Sequence, residues 1–381
     1  MQRKFNYLRL KKALDYRCMS IIELAQKTQI SRQTLADYKN KRSVPADIEK
    51  IRAIASVLNF PVKFFLEEDI EGACGTTFFR SLLTTKKNYR RAQKTKLEMM
   101  GEAYGFLKEY IEFPTTDIPR LLDFAPEDAA NQLREYWGLG DLPITNIIPL
   151  VEQHGILVTC VDTGTDAIDA FSTNYQYSNG ETRYLIGYSQ NKKSAARIHF
   201  DIAHELGHIC LHGLNSEEEL DKEQFKKQEN EANKFASAFL LPKDSFKKDA
   251  QAVPVTIKSY TKLKKKWYTS IAAMLMRAYN LGVIDSDKYK DVLIKMQKQG
   301  IRKQEPLDAD LITAEPSLMK TAVYLLLSNN VFSKSEFVKA FSEEGQLSLF
   351  PDQIEQIIGL EYGTLQEPKV ISFPELQLKK L

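Results

Sequence analysis

RIHFDIAHELGHICLHG, residues 197–213, is the stretch from which the rest of the chain can be interpreted. Within it, His204-Glu205-Leu206-Gly207-His208 forms an H-E-x-x-H pattern. Positions i and i+4 of an α-helix lie on one face, so the two imidazoles converge on one point. Neutral imidazole is a preferred zinc ligand, and two histidines leave room for a third protein ligand and a water. Glu205 can reach that water as a general base, so the motif predicts hydrolysis of a peptide bond.

The residues around the motif are apolar on nearly every side of the predicted helix, which is typical of a buried helix. These residues are Ile202, Ala203, Leu206, Ile209, Cys210 and Leu211. Two histidines and a glutamate inside such a helix would be costly without a metal to satisfy them. The alternative, a core helix with two histidines that bind no metal, is therefore disfavoured.

The third metal ligand is expected from another element. His212 is excluded because a helix rises about 12 Å from His204 to His212, too far for one ion. The segment QENEANKFA, residues 228–236, has a helical pattern in which Glu229 shares a face with small residues. Glu231 falls on a different face. Glu229 is therefore the predicted ligand, with Asn233 one turn on as a candidate supporting residue.

A group that stabilises the developing oxyanion is expected near the metal. Arg197, Tyr188 and His212 are candidates, and the sequence does not choose among them.

HELGHICLHG followed by ENEANKFASAFLLP closely resembles the ImmA/IrrE family of zinc metallopeptidases. The resemblance implies His204, His208 and Glu229 as zinc ligands and Glu205 as the catalytic base, in agreement with the spacing argument. It also implies a gluzincin-like peptidase with a protein substrate, because such peptidases cleave repressors in response to stress or mobile-element signals.

The first 60 residues are strongly basic, with thirteen Lys and Arg against five Asp and Glu, whereas the whole chain carries +3. A basic module on a mildly acidic body suggests a polyanionic partner. Ser20 and Ser31 are predicted N-caps of two short helices, Ile21 to Thr28 and Arg32 to Lys39, joined by a tight turn. This is helix-turn-helix spacing, in which the second helix enters the major groove of DNA.

The start of the second helix would meet base edges, and the residues at and after its end would meet phosphates. The predicted DNA-binding residues are Ser31, Arg32, Gln33, Thr34, Lys39, Lys41 and Arg42. Residues 5–67 resemble the Xre/Cro-type repressor domain, although the turn has Thr28-Gln29 where a glycine is common. A helical docking module that binds protein instead of DNA is the alternative.

These patterns predict an α+β, mostly helical fold. An N-terminal five-helix helix-turn-helix bundle, 1–68, precedes a linker and long helix, 69–113, with residues 68–80 as the linker. A zincin-like metallopeptidase domain with a small β-sheet, 114–250, follows, and an edge strand of that sheet could hold an extended substrate. A helical C-terminal region with a second helix-turn-helix-like unit occupies 251–381, and its Trp267, Met274, Leu275 and Met276 are predicted core residues.

The N-terminus lacks an apolar signal region, and no run approaches the length of a membrane span. The four cysteines show no C-x-x-C spacing and are typical of reduced thiols, so a cytoplasmic location is expected. The sequence thus predicts a regulator that binds double-stranded DNA, is compatible with a homodimer, and cleaves a repressor protein or itself with zinc. The alternatives are a repressor whose zinc site is silent or structural, and an antitoxin-like protein that binds a partner.

Overall fold

The computed structural model describes residues 4–68, 72–79, 86–165, 168–191, 194–213 and 221–367. Its helices are α1 (Tyr7–Tyr16), α2 (Ile21–Thr28), α3 (Arg32–Lys39), α4 (Ile48–Leu58), a 3-10 helix (Val62–Leu66), α5 (Lys87–Leu107), α6 (Pro126–Tyr136), α7 (Ile147–Gln153), α8 (Ala195–His212), α9 (Lys222–Leu240), α10 (Lys243–Gln251), α11 (Ile257–Trp267), α12 (Ile271–Asn280), α13 (Ser286–Lys298), α14 (Leu318–Ser328), α15 (Lys334–Glu343) and α16 (Pro351–Ile358). Its strands are β1 (Gly72–Phe79), β2 (Leu157–Val161), β3 (Ala170–Tyr177) and β4 (Thr182–Ser189). The fold is α+β and mostly helical, as predicted.

The four described strands form one sheet in the order β1-β3-β4-β2. β2 and β4 are parallel, whereas β3 runs antiparallel to both β4 and β1. β1 differs from the prediction, because its residues were assigned to a linker between domains on account of their glycines. Residues 69–71 and 80–85 of that stretch lie outside the described part of the chain. The strand forms because β3 supplies the long-range hydrogen bonds that an isolated glycine-containing segment lacks.

The sheet separates two hydrophobic cores, since alternate residues of each strand point to opposite faces. Phe171 and Leu185 face a core shared with the N-terminal helices, α5 and α14–α16. Ala170 and Ile186 face the other core, which contains α6–α13. The C-terminal region is therefore divided between the two cores, and the boundary predicted at residue 250 falls inside the second one.

The N-terminal bundle consists of four α-helices and the 3-10 helix. Ser20 and Ser31 cap α2 and α3 as predicted, their side chains accepting hydrogen bonds from the Glu23 and Thr34 amides. Gln29 ends α2 with φ of +60°, the left-handed conformation that glycine adopts most easily. The turn therefore keeps the left-handed conformation usual for glycine, and Gln29 adopts it at some cost in backbone strain.

The second helix-turn-helix-like unit consists of α11 and α12, and Ser270 caps α12. Trp267, Met274 and Leu275 are buried as predicted, whereas Met276 is 42% exposed and does not belong to the core. The unit packs its apolar faces into the core beneath the sheet.

We expect the buried His199 to make the fold less stable in mild acid. Burial lowers its pKa from 6.5 to about 4, and its Nε2 lies 3.1 Å from Thr313 Oγ1. The unfolded chain therefore binds a proton that the folded chain does not, and stability falls as pH decreases from about 6.5 to 4. Urea unfolding across this range should show a shallower pH slope for His199→Gln than for the wild type. Equal slopes would contradict the assignment.

Candidate metal centre and nucleic-acid interface

α8 presents the H-E-x-x-H residues inside the protein, because helix α9 packs closely against it. His204, Glu205 and His208 are fully buried. Gly207 makes this approach possible, since a Cβ there would lie 3.2 Å from Ala232 Cα and 3.1 Å from the Phe235 ring. The contact brings the face of α9 that carries Glu229 over the two histidines.

His204, His208 and Glu229 form a compact set of donor atoms. The Nε2 atoms of the two histidines are 3.1 Å apart. Glu229 places Oε1 3.0 Å from His208 Nε2 and Oε2 3.5 Å from His204 Nε2. Among the residues described, these three were found as a group that could hold a metal ion.

The spacing of these donors fits zinc. Bonds of about 2.0–2.1 Å at tetrahedral angles place two ligand atoms roughly 3.3–3.4 Å apart. The three separations lie close to that value, so small side-chain adjustments would complete the geometry. Two imidazoles and one carboxylate are also a donor set that zinc uses where a fourth position stays open.

Glu229 has the charge state that a metal ligand needs. Burial alone would raise its pKa, but hydrogen bonds with His204 and His208 prevail and lower it to about 2. The carboxylate is thus ionised at neutral pH, and its negative charge faces the two imidazole nitrogens.

Glu205 lies one residue beyond the first histidine and contacts the sheet. Ser172 of β3, itself buried, donates its hydroxyl to Glu205 Oε2 at 2.6 Å. A hydrogen bond of this kind orients the carboxylate and favours its ionised form. Ser172 was not predicted from the sequence. Side chains alternate between the two faces of β3, which places Ser172 on the same face as Ala170, toward α8. This alternation could have indicated that Ser172 points toward the H-E-x-x-H helix.

The predicted DNA-binding residues extend from the N-cap of α3 to the residues just after its end. Leu35 and Tyr38 are buried and hold α3 in place. Thr34 and Lys39 are half-buried, and the remaining predicted residues are exposed, namely Ser31, Arg32, Gln33, Lys41 and Arg42. Gln33 donates to Asp37 Oδ1 at 3.1 Å, which fixes its amide along the helix. The surface therefore offers two side chains suited to base edges, Arg32 and Gln33.

Two family models match the chain. Residues 151–279 match Peptidase M78, the IrrE N-terminal-like domain, and this span contains the whole candidate metal centre. Residues 9–63 match the Cro/C1-type helix-turn-helix DNA-binding domain. The chain is thus similar to both domain families over these two spans. No individual curated protein matches it.

The match to the IrrE N-terminal-like domain suggests a metallopeptidase-type domain, and it extends through α11 into α12. The match to a helix-turn-helix DNA-binding domain supports DNA binding by residues 9–63. Among the described helices, none combines the length and apolar character that crossing a membrane requires.

His212 of the IrrE-like domain lies behind the metal centre. Its Nδ1 is 3.1 Å from His208 Nδ1, and its Nε2 is 3.1 Å from Glu231 Oε2. Glu231, which the sequence placed on a different face from Glu229, therefore reaches the centre indirectly. This chain of contacts orients the His208 ring through the nitrogen that faces away from the other donors.

The other candidate residues are Arg197, Tyr188 and Asn233. The Arg197 guanidinium donates a hydrogen bond to the Lys303 carbonyl. Tyr188 is buried, and burial together with Cys160 raises its pKa. Asn233 donates to the backbone carbonyl of Glu229 at 2.8 Å and does not contact its carboxylate. His212, the third oxyanion candidate, contacts the predicted ligand His208.

Proposed function

We propose that the chain is a zinc-dependent peptidase tethered to DNA, and that it cleaves a repressor protein or itself. The observation that carries the proposal is the convergence of His204, His208 and Glu229 beside a buried Glu205. Three protein donors leave one zinc position for water, whereas a closed structural site uses four protein ligands. A silent or structural zinc site would also give Glu205 no chemical role.

The residues of the chain divide the chemistry among them. Zinc, when bound, lowers the pKa of a water and polarises the scissile carbonyl. Glu205 accepts a proton from the attacking water and delivers it to the leaving amine, which breaks the peptide bond. Ser172 holds the carboxylate in position, and His212 holds the His208 ring.

The helix-turn-helix domain supports a DNA-bound protein as the substrate. Tethering the peptidase to DNA raises its effective concentration near a regulator bound at the same site. Repressors cleaved in response to stress or a mobile-element signal fit this arrangement, as the resemblance to ImmA/IrrE peptidases implies. Cytoplasmic location and pairing of two copies over two half-sites complete the proposal.

Cleavage of candidate repressors, with and without operator DNA, tests the function. Wild type loaded with zinc should cut at a defined bond, while Glu205→Gln should hold zinc and cut at least about a hundredfold more slowly. His204→Ala should lose the metal. Wild type that binds zinc and DNA yet cleaves no repressor under any condition would favour a repressor with a silent zinc site.

Ser172→Ala is expected to reduce kcat about tenfold, because an unanchored Glu205 spends less time in the reactive geometry. Loss of the hydrogen bond should also raise the apparent pKa of the acidic limb in kcat against pH. Zinc content should not change. Thr159→Ala, on β2, is the control substitution and should leave kcat and its pH profile as in the wild type. A normal acidic limb in Ser172→Ala would show that Ser172 does not act on Glu205.

Arg32→Ala is expected to weaken binding to a selected operator by about 1–3 kcal/mol, with little change for random DNA. Lys41→Ala should instead weaken binding to the operator and to random DNA alike. It should also reduce the slope of log K against log salt concentration by about one. Fluorescence anisotropy at several salt concentrations measures both effects. Arg52→Ala, on the exposed side of α4, is a control of equal charge. Equal losses on operator and random DNA for Arg32→Ala would contradict base readout by this residue.

A further inference from the structure

β3 is the described strand that touches the proposed catalytic base. Its Ser172 hydroxyl contacts Glu205, and one of its edges is paired with β4. β2 pairs with the other side of β4, so both edges of β4 are already occupied. The outer edge of β3 is therefore the backbone beside Glu205 to which an extended peptide could add.

Extended peptides commonly bind by adding a strand to a sheet edge, with main-chain hydrogen bonds providing affinity. β1 already occupies this edge, antiparallel to β3, with Phe78 opposite Ser172 and Thr77 opposite Thr173. The β1 backbone thus passes directly beside the residue that holds Glu205.

We propose that β1 occupies the place of the extended peptide substrate, so that Gly72–Phe79 closes the site until this strand leaves β3. The proposal rests on the peptidase function above. It makes the segment between the DNA-binding domain and α5 an intramolecular occupant of the substrate strand. An incoming polypeptide would displace it by exchanging one antiparallel strand for another.

The fit of β1 to β3 is incomplete, as expected of an occupant that can leave. Pairing runs from Cys74 opposite Tyr175 to Thr77 opposite Thr173, so two residues of β1 face Asn174 alone. This is a β-bulge, which interrupts the ladder of hydrogen bonds. In the described part of the chain, the buried Asn174 Oδ1 has no hydrogen-bond partner. A different peptide could satisfy it.

Gly75 allows β1 to lie at this edge. A Cβ at Gly75 would fall 1.8 Å from Asn174 Oδ1 and 2.8 Å from Asn174 Cγ, so any larger residue must move the asparagine or the strand. Gly75→Val is therefore expected to expel β1 from the edge of β3. Adding Asn174→Ala removes the clash and is expected to let β1 return.

The test compares the wild type with a variant in which residues 72–79 are replaced by eight Gly and Ser residues. Both are loaded with zinc, and their hydrolysis of fluorescein-labelled casein is measured. A strand held by a few kcal/mol is absent in about 1% of molecules, so the replacement should raise the rate about 10- to 100-fold. Gly75→Val should raise it in the same direction. Adding Asn174→Ala to Gly75→Val should return the rate toward that of the wild type.

A binding measurement separates this proposal from the peptidase function. A labelled peptide of residues 70–81 should bind Glu205→Gln carrying the Gly/Ser replacement, and should bind Glu205→Gln with intact β1 at least tenfold more weakly. A scrambled peptide is the control. If no variant cleaves casein but the peptide distinguishes the two proteins, the peptidase function fails and the occupied edge stands.

Two results would overturn the proposal. One is a folded, zinc-loaded replacement variant that cleaves casein no faster than the wild type and binds the peptide no better. The other result applies if the replacement variant does not fold. In that case, rapid thiol labelling of Cys74 in Gly75→Val would show that β1 is released. A wild-type rate of casein cleavage by that same protein would then overturn the proposal. Cys74 reports release because it lies partly buried in β1, and burial raises the pKa of its thiol.

Discussion

Replacing Glu205 by glutamine should lower kcat for peptide hydrolysis by about 10²- to 10⁴-fold while zinc content stays unchanged. Glutamine keeps the size of the side chain and can still accept the Ser172 hydrogen bond, so the fold and the donors around it are preserved. It cannot take a proton from water at neutral pH. The loss therefore measures proton transfer and not metal binding.

A matched control removes a carboxylate elsewhere on the two helices. Glu223 lies exposed in the first turn of α9, and Glu223→Gln should retain the wild-type rate. Steady-state hydrolysis and zinc quantification on the three proteins provide the comparison. A Glu205→Gln protein with full activity would mean that another group activates the water, and one without zinc would mean that Glu205 supports the metal.

The grouping of His204, His208 and Glu229 could be predicted from the sequence, because it depends on local helical geometry. His204 and His208 are fixed relative to each other by one helix, and Glu229 follows from the small residues that share its face on the next helix. Ser172 could not be predicted in the same way. It is 33 residues from Glu205, and their contact depends on how a strand crosses a helix.

The N-terminal helices were predictable for a related reason. Ser20 and Ser31 are N-caps, and their side chains accept hydrogen bonds from amides only three residues away. The local sequence is therefore enough to predict them. β1 and the packing of the C-terminal helices depend on distant partners instead. Glu67, for example, accepts a hydrogen bond from the Ser348 amide at 3.0 Å, a contact that no local pattern indicates.

Lys264 shows how a local pattern can mislead. It stands in the run Leu263-Lys264-Lys265-Lys266, which reads as a solvated charged face. The structure buries it fully, because it lies on the same stripe of α11 as Tyr260 and Trp267. The spacing of i+4 from one aromatic residue and i−3 from the other was the available signal.

Lys264→Met is expected to destabilise the protein by about 3–5 kcal/mol, because it leaves two buried carboxylates without their cation. Lys264 Nζ lies 2.9 Å from Glu305 Oε2 and 2.6 Å from Asp308 Oδ1. Glu305 also accepts hydrogen bonds from the amides of Ile271 and Ala272, and Ser194 donates to Asp308. One substitution thus disturbs the start of α12 and the segment that precedes α8 together.

Lys295→Met is the matched control, since Lys295 pairs with Asp291 at 2.7 Å on the exposed side of α13. Exposed pairs contribute at most about 1 kcal/mol, because water screens them and their side chains lose entropy on pairing. Urea unfolding followed by tryptophan fluorescence is suited to the comparison, as Trp267 lies in the helix of Lys264. We attribute the importance of Lys264 to its burial, since exposed ion pairs contribute little. Similar urea midpoints for Lys264→Met and Lys295→Met would refute this view. A large loss for Lys264→Met alone would show that the buried Glu305 and Asp308 need this cation, because in the folded state both carboxylates contact it away from water.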